Sequence, residues 1–160
     1  MTFVIAGVIA FSAVAACGRT ATPTSPTAAA LTVDLQTALQ RSLQDEYRAE
    51  AIYQGVVTDF GQVLPFVNVL TAEERHSASI GRLYTLRSLS VPVSDWTVGN
   101  VPRFATVQAA CVAGVAAERE NIALYDDLLR ADLPADVRQV FTNNRNASLV
   151  SHLPAFERCS

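Results

Sequence analysis

Histidine occurs only twice in this 160-residue chain, tryptophan and methionine once each, and cysteine three times. Other absences exclude whole classes of function. No cluster of basic residues and no basic patch interleaved with aromatics is present, so nucleic-acid binding has no support. There is no Gly-rich phosphate loop, and no Ser or Cys stands in a known catalytic motif. No Cys-x-x-Cys pair exists to hold a rubredoxin-like centre. The net charge of -3 is mild, and 50% hydrophobic content supplies one domain with a real core.

The first 16 residues, "MTFVIAGVIAFSAVAA", are almost wholly apolar and shorter than the roughly 20 needed to span a bilayer. An apolar run closing on small residues is the pattern of a secretory signal. The ending "VAAC" resembles a bacterial lipobox, in which Cys17 is acylated and becomes the new N-terminus. The run is not preceded by Lys or Arg, and an ordinary signal cut nearby, with Cys17 incidental, is the alternative. "GRTATPTSPTAAA" follows; it has nothing to bury and reads as a flexible tether over 18–31. Residues 1–17 are thus expected to be a signal peptide, and 32–160 the folded domain.

From Thr32 onward four long segments carry helical periodicity, with no convincing strand alternation. The first has Leu35, Leu39, Leu43, Ala49, Tyr53 and Val57 on one stripe, and Gly61 is a natural stop. The second is expected over about 62–91, with Val69, Leu70, Ile80, Leu83 and Leu86 inward. "PVSDWTVGNVPR" then forms a longer connection, in which Trp96 is expected to cover one side of the bundle. The third helix is expected over about 104–131. The fourth opens at Asp132 or Pro134 and runs toward Cys159. Short links within each pair and a long link between pairs predict an all-α, antiparallel four-helix bundle with a crossover between helices 2 and 3.

The halves resemble each other. "DEYRAEAIYQGVV" aligns with "AERENIALYDDLL", matching Glu46 to Glu118 and Tyr53 to Tyr125, which suggests an internal duplication. Di-iron carboxylate bundles use one Glu from each of two helices and Glu-x-x-His from each of the other two. Here the four helices offer Glu46, then Glu73 with His76, then Glu118, then His152. Both histidines of the chain fall where that template wants them. Leu149 stands three residues before His152, where a fourth carboxylate is expected. With three carboxylates and two neutral imidazoles, one divalent ion leaves about one negative charge and two leave about one positive. Glu50, one turn from Glu46, is a further candidate. The alternatives are solvated glutamates, core histidines paired without metal, or acids neutralised by Arg48, Arg75 or Arg145. Tyr53 and Tyr125 read as core more than as neighbours of a site.

"LQDEYRAEAIYQGV", "EERHSASIGRLY", "ERENIALYDDLL" and "RNASLVSHLPAFERC" together resemble the ferritin-like superfamily, and most of all the domain of unknown function 2202. The resemblance spans about residues 33–159. It implies a four-helix bundle with a carboxylate and histidine metal site, usually iron, ligated by Glu46, Glu73, His76, Glu118 and His152. Relatives such as rubrerythrins and bacterioferritins reduce peroxide or oxidise ferrous iron. The expectation is therefore an exported, lipid-anchored redox metalloprotein of the cell envelope that draws electrons from a partner or from iron itself. A non-catalytic bundle that stores or senses metal, or binds a partner, is the alternative.

Helix register adds one more expectation. Where two helices descend past each other, residues at one level have a constant index sum. Glu118 and His152, sharing a metal, set that sum, and Cys111 and Cys159 have the same one. A Cys111–Cys159 disulfide is predicted, with Pro154 as the obstacle to a straight helix end.

Overall fold

The computed structural model describes residues 33–160, and these are helical with no strand among them. The expected signal peptide, Cys17 and the tether lie outside the described residues. Helix α1 spans Val33–Phe60. It ends where the sequence places a stop: Gly61 takes a left-handed backbone (φ 82°), and its N–H donates to Val57 O at 2.9 Å.

Helix α2, Phe66–Thr85, is shorter at both ends than expected. Pro65, which has no N–H to give, stands at its start. At the other end the chain leaves the helix at Leu86. Ser88 takes a left-handed backbone (φ 56°), and the Leu89 N–H donates back to Tyr84 O at 3.1 Å, which caps the helix. Leu86, expected on the inner stripe, is 64% exposed because the helix stops before the stripe reaches it. Arg87 closes this end, donating to Leu83 O at 3.0 Å and pairing with Asp136 at 3.0 Å.

The crossover, residues 86–106, runs along α1. Gln44 holds Val93 O and Asp95 N at 2.8 and 3.0 Å, Arg48 lies over the Trp96 ring at 5.8 Å, and Asp59 pairs with Arg103. Successive crossover residues therefore meet successive turns of α1. Trp96 packs against the core as a half-buried cover. Helix α3, Val107–Leu128, starts at Thr106, whose hydroxyl accepts from Ala109 N at 3.1 Å.

The fourth helix has three parts: α4 (Ala135–Ala147), a π-helical turn (Ser148–His152) and α5 (Leu153–Glu157). Pro154 explains the wide turn. It lacks the N–H that would bond to Val150, and its ring would strike that carbonyl in a regular helix. The turn opens instead, with Leu153 N bonding to Ser148 O, and the chain continues. Cys159 then reaches Cys111, with a Cα–Cα distance of 5.7 Å and a disulfide between them. Gly114 on α3 admits α5 closely; a Cβ there would lie 2.7 Å from the Phe156 ring.

Two apolar clusters divide the interior. One gathers Leu39, Leu43, Ile80, Leu83, Tyr125 and Phe141. The other gathers Tyr53, Val56, Phe66, Val69, Cys111 and Phe156. Along α1 and the fourth helix the chain passes from the first cluster to the second, and along α2 and α3 from the second to the first. Between the clusters every helix contributes buried polar side chains, and these form a single layer.

Candidate metal centre

Glu46, Glu73, His76, Glu118 and His152 all lie in that layer, and all are buried. Their placement follows from helix spacing. Glu46 is three residues after Leu43, on the inner stripe, and Glu73 and His76 share one face of α2. Glu73 is central. Its Oε2 lies 2.8 Å from His76 Nδ1, and its Oε1 lies 3.0 Å from His152 Nδ1. Glu46 Oε2 is 3.4 Å from His76 Nδ1, and Glu118 Oε2 is 3.4 Å from His152 Nδ1. The two imidazoles stack at 5.4 Å between centroids.

The arrangement is two triads that share one carboxylate: Glu46, Glu73 and His76, and Glu73, Glu118 and His152. In each, the candidate ligand atoms lie within 4.8 Å of one another. Glu46 Oε2, Glu118 Oε2 and His152 Nδ1 are buried and make no well-formed hydrogen bond; their contacts are ion pairs within the cluster at 3.0–3.4 Å. Orphaned buried oxygens and nitrogens are rare, because each costs about 1–3 kcal/mol and more where charged. Glu46 belongs to one triad, and Glu118 and His152 to the other. A divalent cation in each triad would satisfy these atoms, and carboxylate oxygens with imidazole nitrogens suit a transition metal.

The opposite oxygens of the outer glutamates are held from behind. Tyr53 donates to Glu118 Oε1 at 2.7 Å, and Tyr125 donates to Glu46 Oε1. Each tyrosine serves the glutamate of the other half, so the repeat is closed by exchange. Both rings are core, and their hydroxyls also hold the outer carboxylates, the neighbouring role that a Tyr seven residues beyond each Glu leaves open in the sequence.

Leu149 corrects the expectation of an inward fourth-helix carboxylate position. In the π-turn Ser148 and His152 face inward, while Leu149 and Val150 are 37% and 68% exposed. The inward places belong to Asn144, whose Nδ2 is 3.4 Å from Glu46 Oε1, and Ser148, which donates to Asn121 Oδ1 at 2.9 Å. Asn121 in turn donates to Asp45 at 2.8 Å. Glu50, the further candidate, belongs to neither triad, though its Oε1 is buried and unpartnered. Two of the three arginines that might have neutralised the site are occupied elsewhere, Arg48 with Glu120 and Arg145 with Asp126, and Arg75 is exposed and forms no ion pair with the cluster among the described residues.

Protonation shows what the cluster demands. Burial, then the Glu73 charge, pushes Glu46 up to about 7. Burial also pushes Glu73 up, but the His152 and His76 imidazoles outweigh it and hold the group below its usual value. Burial pulls both histidines down, yet their carboxylate neighbours win, raising His76 to about 10 and His152 to about 9. Without metal, both rings are therefore protonated at neutral pH and act as the counter-cations. Raised values mean that the folded state holds these protons more tightly than the unfolded chain. Their stabilisation is full below about pH 6.5 and lost as pH rises through about 9 and 10; the raised Glu46 acts in the same direction. Chelator-treated protein should thus melt several degrees lower near pH 9.5 than near pH 6. Scanning calorimetry in the two buffers measures this, and an equal or higher melting point at the alkaline pH would contradict it.

No protein-family model matches the chain, and no curated protein matches it. The fold does match a solved structure, the crystal structure of hypothetical protein MJ0754 from Methanococcus jannaschii DSM 2661. The TM-score is 0.71 at 18% identity, over 86% of this chain and 83% of that one. At that identity the likeness concerns the fold alone.

Proposed function

We propose that this is a ferritin-like metal protein of the cell envelope, lipid-anchored through Cys17, whose carboxylate and histidine centre holds iron. The passage of the four helices between the two apolar clusters, with a crossover along α1, supports an antiparallel ferritin-like bundle. One observation carries the metal reading: two buried triads of carboxylate and imidazole groups share Glu73. Glu46, Glu73 and His76 would hold one ion, and Glu73, Glu118 and His152 could hold a second. Iron would supply one-electron redox chemistry toward oxygen or peroxide. The chain's own residues hold it between two apolar clusters, Tyr53 and Tyr125 aim the outer carboxylates, and the histidines give up their protons on binding.

The test is anaerobic loading with ferrous iron followed by addition of peroxide or oxygen. Oxidation should outpace that of free ferrous iron in the same buffer and should be lost in a protein lacking both histidines. Asn144 and Ser148 at the inward places of the fourth helix leave only three carboxylates, which favours a store or sensor as the second reading. Ferrous iron that binds but oxidises no faster than in buffer would select that reading.

A further inference from the structure

Beside the centre an open pocket of about 680 Å³ lies between the start of α2 and the fourth helix. Its size falls in the range of small-molecule sites. Small side chains create it: Ala72 on α2 faces Ala147, Ser151 and Ala155, which recur every four residues along the fourth helix. Leu64, 66% exposed, and buried Val69 give it apolar walls. The inner wall includes the ring of His152, whose Nδ1 faces the carboxylates of the centre. The disulfide at Cys159 holds the α5 side in place.

The charge of the pocket is one-sided. No Asp or Glu lines it, and Arg158 stands at its rim. Most other arginines of the described chain are engaged: Arg41, Arg48, Arg87, Arg103, Arg119, Arg130 and Arg145 pair with carboxylates, and Arg138 donates to two carbonyls. The Arg158 guanidinium makes no ion pair or hydrogen bond among the described residues. A free guanidinium above apolar walls, with no competing acid, fits a ligand that carries a carboxylate on an apolar body.

We infer that this pocket binds a small amphipathic carboxylate, with its head on Arg158 and its apolar body along Val69, Ala72 and Ala155 toward His152. The inference goes beyond the metal reading and does not need it, since neither Arg158 nor the apolar walls belong to a triad. It is therefore tested on metal-free full-length protein, by calorimetric titration with octanoate, octanol and octylamine. Resonances of His152 and Ala155 are followed by NMR in the same titrations. Octanoate should bind saturably at one site and shift those resonances, with octanol and octylamine at least about tenfold weaker. Arg158→Gln, an exposed change that leaves the core intact, should weaken octanoate to the level of octanol. Ala155→Phe, which fills the pocket, should abolish binding of all three; a melting curve checks that it folds. Absence of saturable binding, octanol binding as tightly as octanoate, or an Arg158→Gln protein that binds octanoate unchanged would each overturn the inference. None of these results bears on whether the neighbouring centre holds metal.

Discussion

Glu73→Ala should remove transition-metal binding almost completely, whereas Glu46→Ala or Glu118→Ala should remove only part of it. The difference follows from geometry. Glu73 lies within hydrogen-bonding distance of both imidazoles and belongs to both triads, while each outer glutamate belongs to one. Groups that merely orient a ligand already cost about 10–100-fold in metal affinity when removed, so a carboxylate common to both positions should cost more than about 100-fold. With Glu118→Ala the triad of Glu46, Glu73 and His76 stays complete and should keep its ion. Glu74→Ala is the control, because Glu74 is exposed on the same helix. Elemental analysis after desalting reads the stoichiometry, and thermal melting reads it a second way. A ligand that binds only the folded state stabilises by about 2.7 kcal/mol at 100 times its dissociation constant, so wild-type protein should melt higher with metal and Glu73→Ala should not. Equal losses from Glu73→Ala and Glu118→Ala would show that Glu73 is not shared.

Breaking the Cys111–Cys159 bond should lower the melting temperature by on the order of 15 °C. The bond closes a loop with a sequence separation of 48. The entropic account assigns such a crosslink about 4 kcal/mol, and a domain of this length loses about 4 °C per kcal/mol. Its position adds a functional consequence. Helix α5 follows directly on His152 and packs on α3, which carries Glu118. With the clip gone, α5 can fray from the Phe156–Gly114 contact, and His152 loses the anchor that holds its π-turn. The double Cys111→Ala, Cys159→Ala protein should therefore retain less metal at the Glu118 and His152 position than at the Glu46 and His76 position. A melting point within about 3 °C of wild type would mean that the bond joins parts already held in register without it.

The sequence made the helices legible because each long segment buries one stripe. It made the buried polar cluster legible because histidine is so scarce: two rings, each in the second helix of a similar half, point to one layer of the bundle. Even the cysteine pair followed from the register that Glu118 and His152 imply. What escaped has specific causes. A search at a 3.6-residue period treats the fourth helix as continuous, so the π-turn at Ser148–His152 is invisible to it, and Leu149 is mistaken for an inward position. The end of α2 is set by Ser88 in a left-handed backbone, a conformation a serine does not advertise, and the pattern alone carried Leu86 inward. Asn121, Asn144 and Ser148 gave no signal, since amides and hydroxyls on a helix are common, and only packing shows that they face the acids. The pocket was hidden for the opposite reason: Ala72, Ala147, Ser151 and Ala155 look unremarkable until two helices bring them face to face.

The central claim is that the polar layer exists to hold a transition metal between Glu73 and the two histidines. Anomalous X-ray scattering from crystals of metal-loaded protein, recorded on both sides of the metal's absorption edge, tests it most directly. The account predicts an anomalous peak inside the bundle, within bonding distance of Glu73 and of His76 or His152. A second peak should lie across Glu73 if both triads fill. An interior without a peak, with Glu73 still drawn up between the two imidazoles and metal found only at surface carboxylates, would contradict it.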